Sequence, residues 1–294
     1  MKRSAAIAIA SSLVLTPAAA QALEPSLMVD GVPWPRAEQN RIFLEHDIWP
    51  TSYAFYNVDV DQIALAWAVI GQFRVAENVY IDAELPWAFW TLWNDSASLE
   101  GFTLGNLTAG AHYAAGITED IAFWAGARIA VPTMLMDPPG ASEEDDNFAT
   151  MAAAGATASR SLADAHRFYP EHISMPVGGG IELRFADYFY YRGTVVPAFH
   201  FPVDGSFEFY IDQVNEIEAR APMGFGGGLR IQEVFTLSEN DLVQLGMEPF
   251  IGYEPPGAGF IFRLGFMVAL DESLGFGFDE GKVAAARIML GGKF

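Results

Sequence analysis

The sequence predicts an all-β fold, a transmembrane antiparallel up-and-down β-barrel of about 12 strands, with 10 or 14 strands as open alternatives. Three observations predict this fold: a secretory leader, repeated alternation of large apolar residues with small or charged ones, and a last strand that ends on an aromatic residue. Each observation is weak alone, but all three point to strands that cross a bilayer.

The N-terminus has the three parts of a secretory signal peptide. Met1-Lys-Arg is basic, Ala5 to Leu15 is apolar, and Ala20-Gln21-Ala22 offers a small-residue cleavage site. The apolar run is too short for a spanning helix, and no later run reaches about 18 apolar residues. We therefore expect no transmembrane helix.

The leader and the residues after it divide the chain into three parts. We assign 1–22 to the signal peptide and 42–294 to an outer-membrane β-barrel. We interpret 23–41 as a periplasmic lead-in, because it contains prolines and shows neither a helical nor a strand period.

The composition excludes several classes of function. The chain has no cysteine, which excludes disulfides, thiol nucleophiles and cysteine metal sites. A net charge of −21 repels phosphate backbones, so nucleic acid is not expected as a partner. We also predict no cofactor and no metal site.

Alternation with a period of two recurs along most of the chain. In 62–75 the odd positions include Ile63, Leu65 and Trp67, whereas the even positions are mostly Ala and Gln. Short polar turns such as 76–78 separate such runs. The predicted strands are 44–57, 62–75, 79–91, 102–116, 121–134, 172–185, 188–201, 207–215, 218–232, 240–253, 259–270 and 282–294.

The residue types decide which face of each strand meets lipid. A soluble β-sandwich, the other fold considered, carries several charges per strand on its solvated face. Here the second face has only one or two charges among small residues, as in a crowded lumen, and the first face is rich in Phe and Trp. The predicted lumen-lining residues are Asp82, Glu84, Arg128, Glu182, Arg184, Arg192, Arg220, Arg230, Glu248, Arg263 and Arg287.

These charged residues admit two interpretations. They pair across the barrel and fill it, or they line a constriction that sets selectivity. The sequence favours the first interpretation.

The last strand, from Val283 to Phe294, has one apolar and one charged face. It resembles the C-terminal signal that the barrel assembly machinery of bacterial outer membranes recognises, with Phe294 as the assembly signal. Gly292 departs from that signal, which usually has a large apolar residue there. We expect this strand to pair with the first one and so close the barrel.

One connection, 135–171, is long enough to need a role of its own. Its acidic run, Glu143 to Asp146, suits either a solvated loop or a divalent cation bridging lipopolysaccharide. The Ala-rich piece 148–167 is predicted to be helical, and we place the segment outside the barrel or folded into its mouth.

Three short motifs resemble the outer-membrane transporter-like barrels of the phenol-degradation (MetA) pathway. They are Leu85-Pro86-Trp87, Leu104-Gly105-Asn106 and Val131-Pro132-Thr133. Asn106 replaces an Asp of the family pattern, and Met134 replaces a Gly. The resemblance implies passage of small hydrophobic or aromatic compounds.

The sequence as a whole predicts an outer-membrane channel or transporter for small, hydrophobic or aromatic molecules. The alternatives are a structural or lipopolysaccharide-associated barrel with a plugged lumen and, less favoured, a barrel hydrolase. The expected partners are outer-membrane lipid, lipopolysaccharide, the barrel assembly machinery and a small-molecule solute. No enzyme is predicted, because the spacing of the five histidines suggests no catalytic triad.

Overall fold

The computed structural model describes residues 40–294, apart from 56–57, 95–97, 119, 134–142, 187, 204–205, 238–242, 256–258 and 272–282. The predicted signal peptide and nearly all of the lead-in lie outside the described residues. Among the described residues, no helix is long and apolar enough to cross a membrane.

The described chain forms one antiparallel sheet that closes on itself. β4 and β5 both pair with β3, so they share one position and the barrel has 12 strand positions. The elements are β1 (Arg41–Phe55), β2 (Val58–Ala76), β3 (Val79–Trp93), β4 (Ser98–Leu104), β5 (Leu107–Gly116), β6 (Ile121–Val131), α1 (Glu143–Ala158), β7 (His172–Arg184), β8 (Phe189–Pro202), β9 (Glu208–Arg220), β10 (Phe225–Thr236), β11 (Val243–Tyr253), β12 (Phe260–Ala269) and β13 (Ala284–Lys293).

The barrel closes where its first and last strands meet. β1 and β13 pair from Arg41↔Lys293 to Ile48↔Ala286, and the Asn40 N–H donates to the Phe294 carbonyl at 3.0 Å. Closure leaves no row of unpaired backbone groups facing lipid. The prediction that the first and last strands pair is confirmed.

The two ends of the barrel differ. The end where β1 begins and β13 ends, here called the terminal end, has tight turns such as Glu77-Asn78, where Asn78 takes a left-handed φ of 61°. The opposite end, the loop end, has the long connections 132–171 and 270–283.

The predicted faces agree with the structure. Phe102 and Ile217 on the outside are 61% and 54% exposed, whereas Glu84 and Glu216 on the inside are 1% and 0% exposed. An apolar outer belt around a charged interior is the arrangement of a membrane barrel, and it excludes the β-sandwich alternative.

Two strand predictions need correction. A hairpin was predicted at 216–217, but β9 continues to Arg220 and the turn is at 221–224, where Gly224 has a φ of 94°. The acidic residues of β9 resemble a turn in sequence, yet Glu216 and Glu218 point inward and bind Arg192. The predicted strand 102–116 is interrupted at Gly105-Asn106.

Candidate functional site: an ion-pair ring completed by a plug in the lumen

The segment after β6 folds into the barrel. α1 lies against β2 and β3, with Ala152 and Ala156 packed among the inward-facing Ala64, Ala88 and Trp90. Small residues on both sides let the helix approach the wall closely, since a Cβ on Gly155 would lie 2.8 Å from the Cβ of Ala64. Of the two predicted placements, the structure shows the described part of this segment, from residue 143 onward, inside the barrel mouth.

The chain reverses sharply after α1. Ser161, Leu162 and Asp164 have left-handed φ values of 51°, 65° and 55°, and a 3-10 turn follows at Ala165–Arg167. Three such residues within four positions make a compact bend that presents Arg160 and Arg167 to the wall. We call residues 143–168 the plug.

Arg160 joins the plug to β1. Its Nη1 donates to Glu45 Oε2 at 3.1 Å and to Asp47 Oδ2 at 2.8 Å, and its Nη2 donates to Asp164 Oδ2 at 2.8 Å. All four residues are buried. The bend is therefore held by a guanidinium that bonds both its own segment and the wall.

Arg167 bridges two parts of the wall that do not touch each other directly. Its Nη1 donates to Glu45 Oε2 of β1 at 2.7 Å, and its Nε donates to Glu84 Oε2 of β3 at 3.0 Å. The other oxygen of Glu84 accepts from Arg128 of β6. Arg167 thus links β1 to β6 through β3 and passes over β2, whose wall here consists of alanines.

The residues between β4 and β5 bind the plug. The Asn106 side-chain amide donates to the carbonyls of His166 and Tyr169 at 3.0 and 2.7 Å, and its backbone N–H donates to the Arg167 carbonyl at 2.6 Å. A Cβ on Gly105 would lie 2.5 Å from the Arg167 carbonyl oxygen, so only glycine fits there.

The three motifs singled out in the sequence meet at this break between β4 and β5. The Gly105 N–H donates to the Pro86 carbonyl at 2.9 Å, and the Thr133 hydroxyl donates to the Gly105 carbonyl. Thr133 Oγ1 also accepts from the Leu107 N–H at 3.1 Å. The motifs therefore form one structural unit, and this unit positions Gly105 and Asn106 against the plug.

The plug arginines complete a chain of ion pairs around the lumen. The ion pairs of this chain that lie within the barrel wall include Glu182–Arg192 at 2.9 Å, Glu216–Arg263 at 2.9 Å and Arg287–Asp47 at 2.7 Å. Its two ends, on β7 and β6, lie on adjacent strands. In order, the ion-pair ring contains Glu182, Arg192, Glu216, Arg263, Glu248, Arg287, Asp47, Arg160, Glu45, Arg167, Glu84 and Arg128.

The plug also reaches the opposite wall. Gln232 of β10 donates to the Arg160 carbonyl, and the Asp164 N–H donates to Asp212 of β9 at 3.3 Å. A Cβ on Gly246 of β11 would lie 3.1 Å from the Ser161 Cβ. The plug therefore contacts the wall on both sides of the lumen at this level.

Charge and burial make the docked plug sensitive to protonation. Burial raises the pKa of Asp164, but Arg167 and Arg160 outweigh burial and lower that pKa to about 2. Burial lowers the pKa of His166, and Arg128 lowers it further, against the opposing effect of Glu84. The docked plug therefore favours an ionised Asp164 and a neutral His166.

The structure places the predicted lumen residues on the inner face, at different levels. Seven belong to the ion-pair ring: Glu84, Arg128, Glu182, Arg192, Glu248, Arg263 and Arg287. Asp82 binds His112 at 2.7 Å, Arg230 lies 3.5 Å from Glu248, and Arg220 binds Glu218 at 2.9 Å near the terminal end. Arg184 lies at the terminal rim, where it binds Asp120.

Sequence reasoning missed five members of the ring: Glu45, Asp47, Arg160, Arg167 and Glu216. Glu45 and Asp47 alternate with Leu44, His46 and Ile48, a period that would have indicated an inner face. Nothing local marks Arg160 and Arg167 as ring members, because their partners on the barrel wall are more than 80 residues away in the chain.

The histidines form no catalytic triad among the described residues. Ser174 and His200 are hydrogen-bonded at 2.7 Å and buried, but His200 Nε2 has no hydrogen-bond partner among the described residues, and Glu208, opposite His200 on β9, accepts from the Tyr169 and Tyr210 hydroxyls instead. The described residues also include no group of three or more side chains that could hold a metal ion. The acidic run Glu143 to Asp146 forms the first turn of α1.

Comparisons with solved structures agree with the barrel fold. The chain is similar to an outer membrane channel from Pseudomonas putida F1, with a TM-score of 0.60, 8% identity, and coverage of 91% of this chain and 100% of that one. It is also similar to the transport unit of the autotransporter AIDA-I from Escherichia coli, with a TM-score of 0.50, 10% identity, and coverage of 88% and 91%. The protein has the fold of an outer-membrane β-barrel.

At these identities the likeness shows the fold alone, and it is consistent with the transporter-like barrels that the three motifs resemble. Searches against protein-family models and curated proteins each found no match.

Proposed function

We propose that the protein is an outer-membrane channel whose resting state is closed by the plug and whose open state has the plug displaced. The observation that carries the proposal is that the plug supplies two of the six arginines of the ion-pair ring. The charges of the wall complement those of the plug, and the plug lies on a long connection. This arrangement suits reversible docking, because water can hydrate both charged surfaces once they separate.

The plug also covers an apolar surface of the lumen. Trp49, Trp90 and Phe168 are buried in one cluster with the alanines of α1. Displacing α1 would expose the two tryptophans to a solute that enters from the loop end. We propose on this basis that the solutes are small and aromatic, since indole rings stack on flat apolar molecules.

The test replaces residues 143–168 with a short Gly-Ser linker, which suffices because β6 and β7 are neighbouring strands. We expect the purified variant, reconstituted in liposomes, to admit small aromatic solutes at least ten times faster than the unmodified protein. Heat-modifiable migration and β-rich circular dichroism confirm that both proteins are folded.

A second candidate function follows from the same geometry, namely a structural barrel whose lumen stays plugged. Flux through the folded linker variant together with no single-channel opening of the unmodified protein would favour that candidate, and absence of flux through the folded linker variant would contradict the channel. Flux of sugars equal to that of aromatic solutes would support a channel but contradict the proposed solute class.

A further inference from the structure

Arg41 is one of the lumen arginines that lie outside the ion-pair ring. The guanidinium of Arg41, at the terminal end of β1, is 1% exposed, and its three nitrogens have no hydrogen-bond acceptor among the described residues. Burial of a cation whose donors are unsatisfied is energetically unfavourable. A bound anion would accept hydrogen bonds from these nitrogens and neutralise the charge.

The side chain beside Arg41 adds a further donor. Gln72 is the cross-strand partner of Arg41 on β2, it is 4% exposed, and its Nε2 likewise has no acceptor among the described residues. Directly paired residues of neighbouring strands lie about 5 Å apart, so both side chains can contact one group of atoms.

The carboxylates at this end of the lumen already have basic partners. Glu182 binds Arg192 at 2.9 Å, Glu218 binds Arg192 at 2.6 Å and also Arg220, and Glu254 binds Lys293. Asp82, opposite Gln72 on β3, binds His112 at 2.7 Å. Arg41 therefore remains without a hydrogen-bonded carboxylate among the described residues.

We propose that Arg41 and Gln72 form a binding site for the carboxylate of an amphipathic small molecule. A guanidinium presents two parallel N–H groups that match the two oxygens of a planar carboxylate, and the Gln72 amide supplies another donor. Two residues further along the same strands, Phe43 and Ile70 form an apolar cluster with Ile261 and Met289. The apolar body of the ligand would contact that cluster.

The site does not depend on conduction through the barrel, because a barrel with a permanent plug could also bind a ligand at its terminal end. Binding is therefore measured on the purified full chain in detergent. Flux, which tests the channel proposal, is measured separately.

The experiment is a calorimetric titration with sodium benzoate, sodium acetate or inorganic phosphate at constant ionic strength. We expect saturable binding of benzoate, with acetate at least tenfold weaker because it lacks an apolar body. Arg41→Gln should weaken benzoate binding at least tenfold. Arg74→Gln, the same substitution at an exposed arginine on the neighbouring strand, should leave it unchanged.

A second variant covers the case in which Arg41→Gln does not fold. Gln72→Leu retains the positive charge, removes one donor, and should weaken benzoate binding severalfold. No saturable benzoate binding, equal affinity in a folded Arg41→Gln protein, or a preference for phosphate over benzoate would each overturn the proposal.

Discussion

Asn106 shows how one side chain can determine whether the plug docks. Both N–H groups of its amide are used, one on the His166 carbonyl and one on the Tyr169 carbonyl. The pattern of the family that the three motifs resemble has an aspartate at this position, which accepts hydrogen bonds but does not donate them when ionised. The departure from the pattern is therefore what allows this particular contact.

We predict that Asn106→Asp releases the plug without unfolding the barrel. Two hydrogen bonds are lost and a carboxylate faces two carbonyls, which should weaken docking by about 2 kcal/mol. Hydrogen exchange of the amides of 143–168 should become about tenfold faster or more. Asn40→Asp is the matched control, because the Asn40 side chain only accepts, from the Arg74 N–H. Equal protection of these amides in both variants would contradict the role of Asn106.

His166 predicts a dependence of docking on pH. Its docked pKa is below the ordinary value of 6.5, so the docked plug binds fewer protons than the released one. Docking is therefore strongest above pH 6.5 and weakens as the pH falls below it, by at most about 1.4 kcal/mol per pH unit. Asp164, with a pKa of about 2 against its ordinary 3.8, adds a second loss as the pH falls below 3.8.

The measurement is the open probability of single channels between pH 8 and pH 5. We expect a rise toward pH 5 in the unmodified protein and a flatter profile in His166→Asn. His46→Gln, on the outer face beside Trp67, should keep the slope. An unchanged slope in His166→Asn would show that another group controls the response.

At the scale of single elements, α1 can dock because the residues that contact the wall have small side chains. Gly155 faces Ala64 across a gap that leaves no room for a Cβ, whereas Ala154 is exposed. Helix and wall are thus matched by size as well as by charge.

We predict that Gly155→Leu undocks α1, because overpacking a tight contact costs about 1–3 kcal/mol. Ala154→Leu adds a similar side chain to the same helix on its exposed side and should have little effect. Solute flux into liposomes measures both variants. If the two variants gave the same flux, the packing of α1 against β2 would not hold the plug in place.

The strands show what sequence can and cannot predict at this scale. Alternation identified both faces of β2 and β12, because lipid and lumen impose opposite residue types on neighbouring positions. The β9–β10 turn was misplaced because Glu216 and Glu218 resemble a polar turn until Arg192 is known to bind them. When the charges on a strand are neutralised by residues of another strand, the strand's own sequence does not indicate that they point inward.

At the scale of the whole molecule, closure of the sheet and docking of the plug depend on different kinds of contact. The sheet closes through the pairing of β1 and β13, which the sequence predicted from the period of the last strand. The plug is held in the lumen through contacts such as Arg160–Asp47, which join residues 113 positions apart. Sequence indicated that the connection 135–171 had a role, but only the structure shows the wall charges that receive it.

The most direct test of the account locks the plug in place. Ser161→Cys with Gly246→Cys would introduce the only two cysteines, with Cβ atoms about 3.1 Å apart before a small adjustment to disulfide geometry. In planar bilayers the account predicts that single-channel openings vanish when the pair is oxidised and return when it is reduced. Openings that continue unchanged after complete oxidation would contradict it, because solutes would then pass without displacement of the plug.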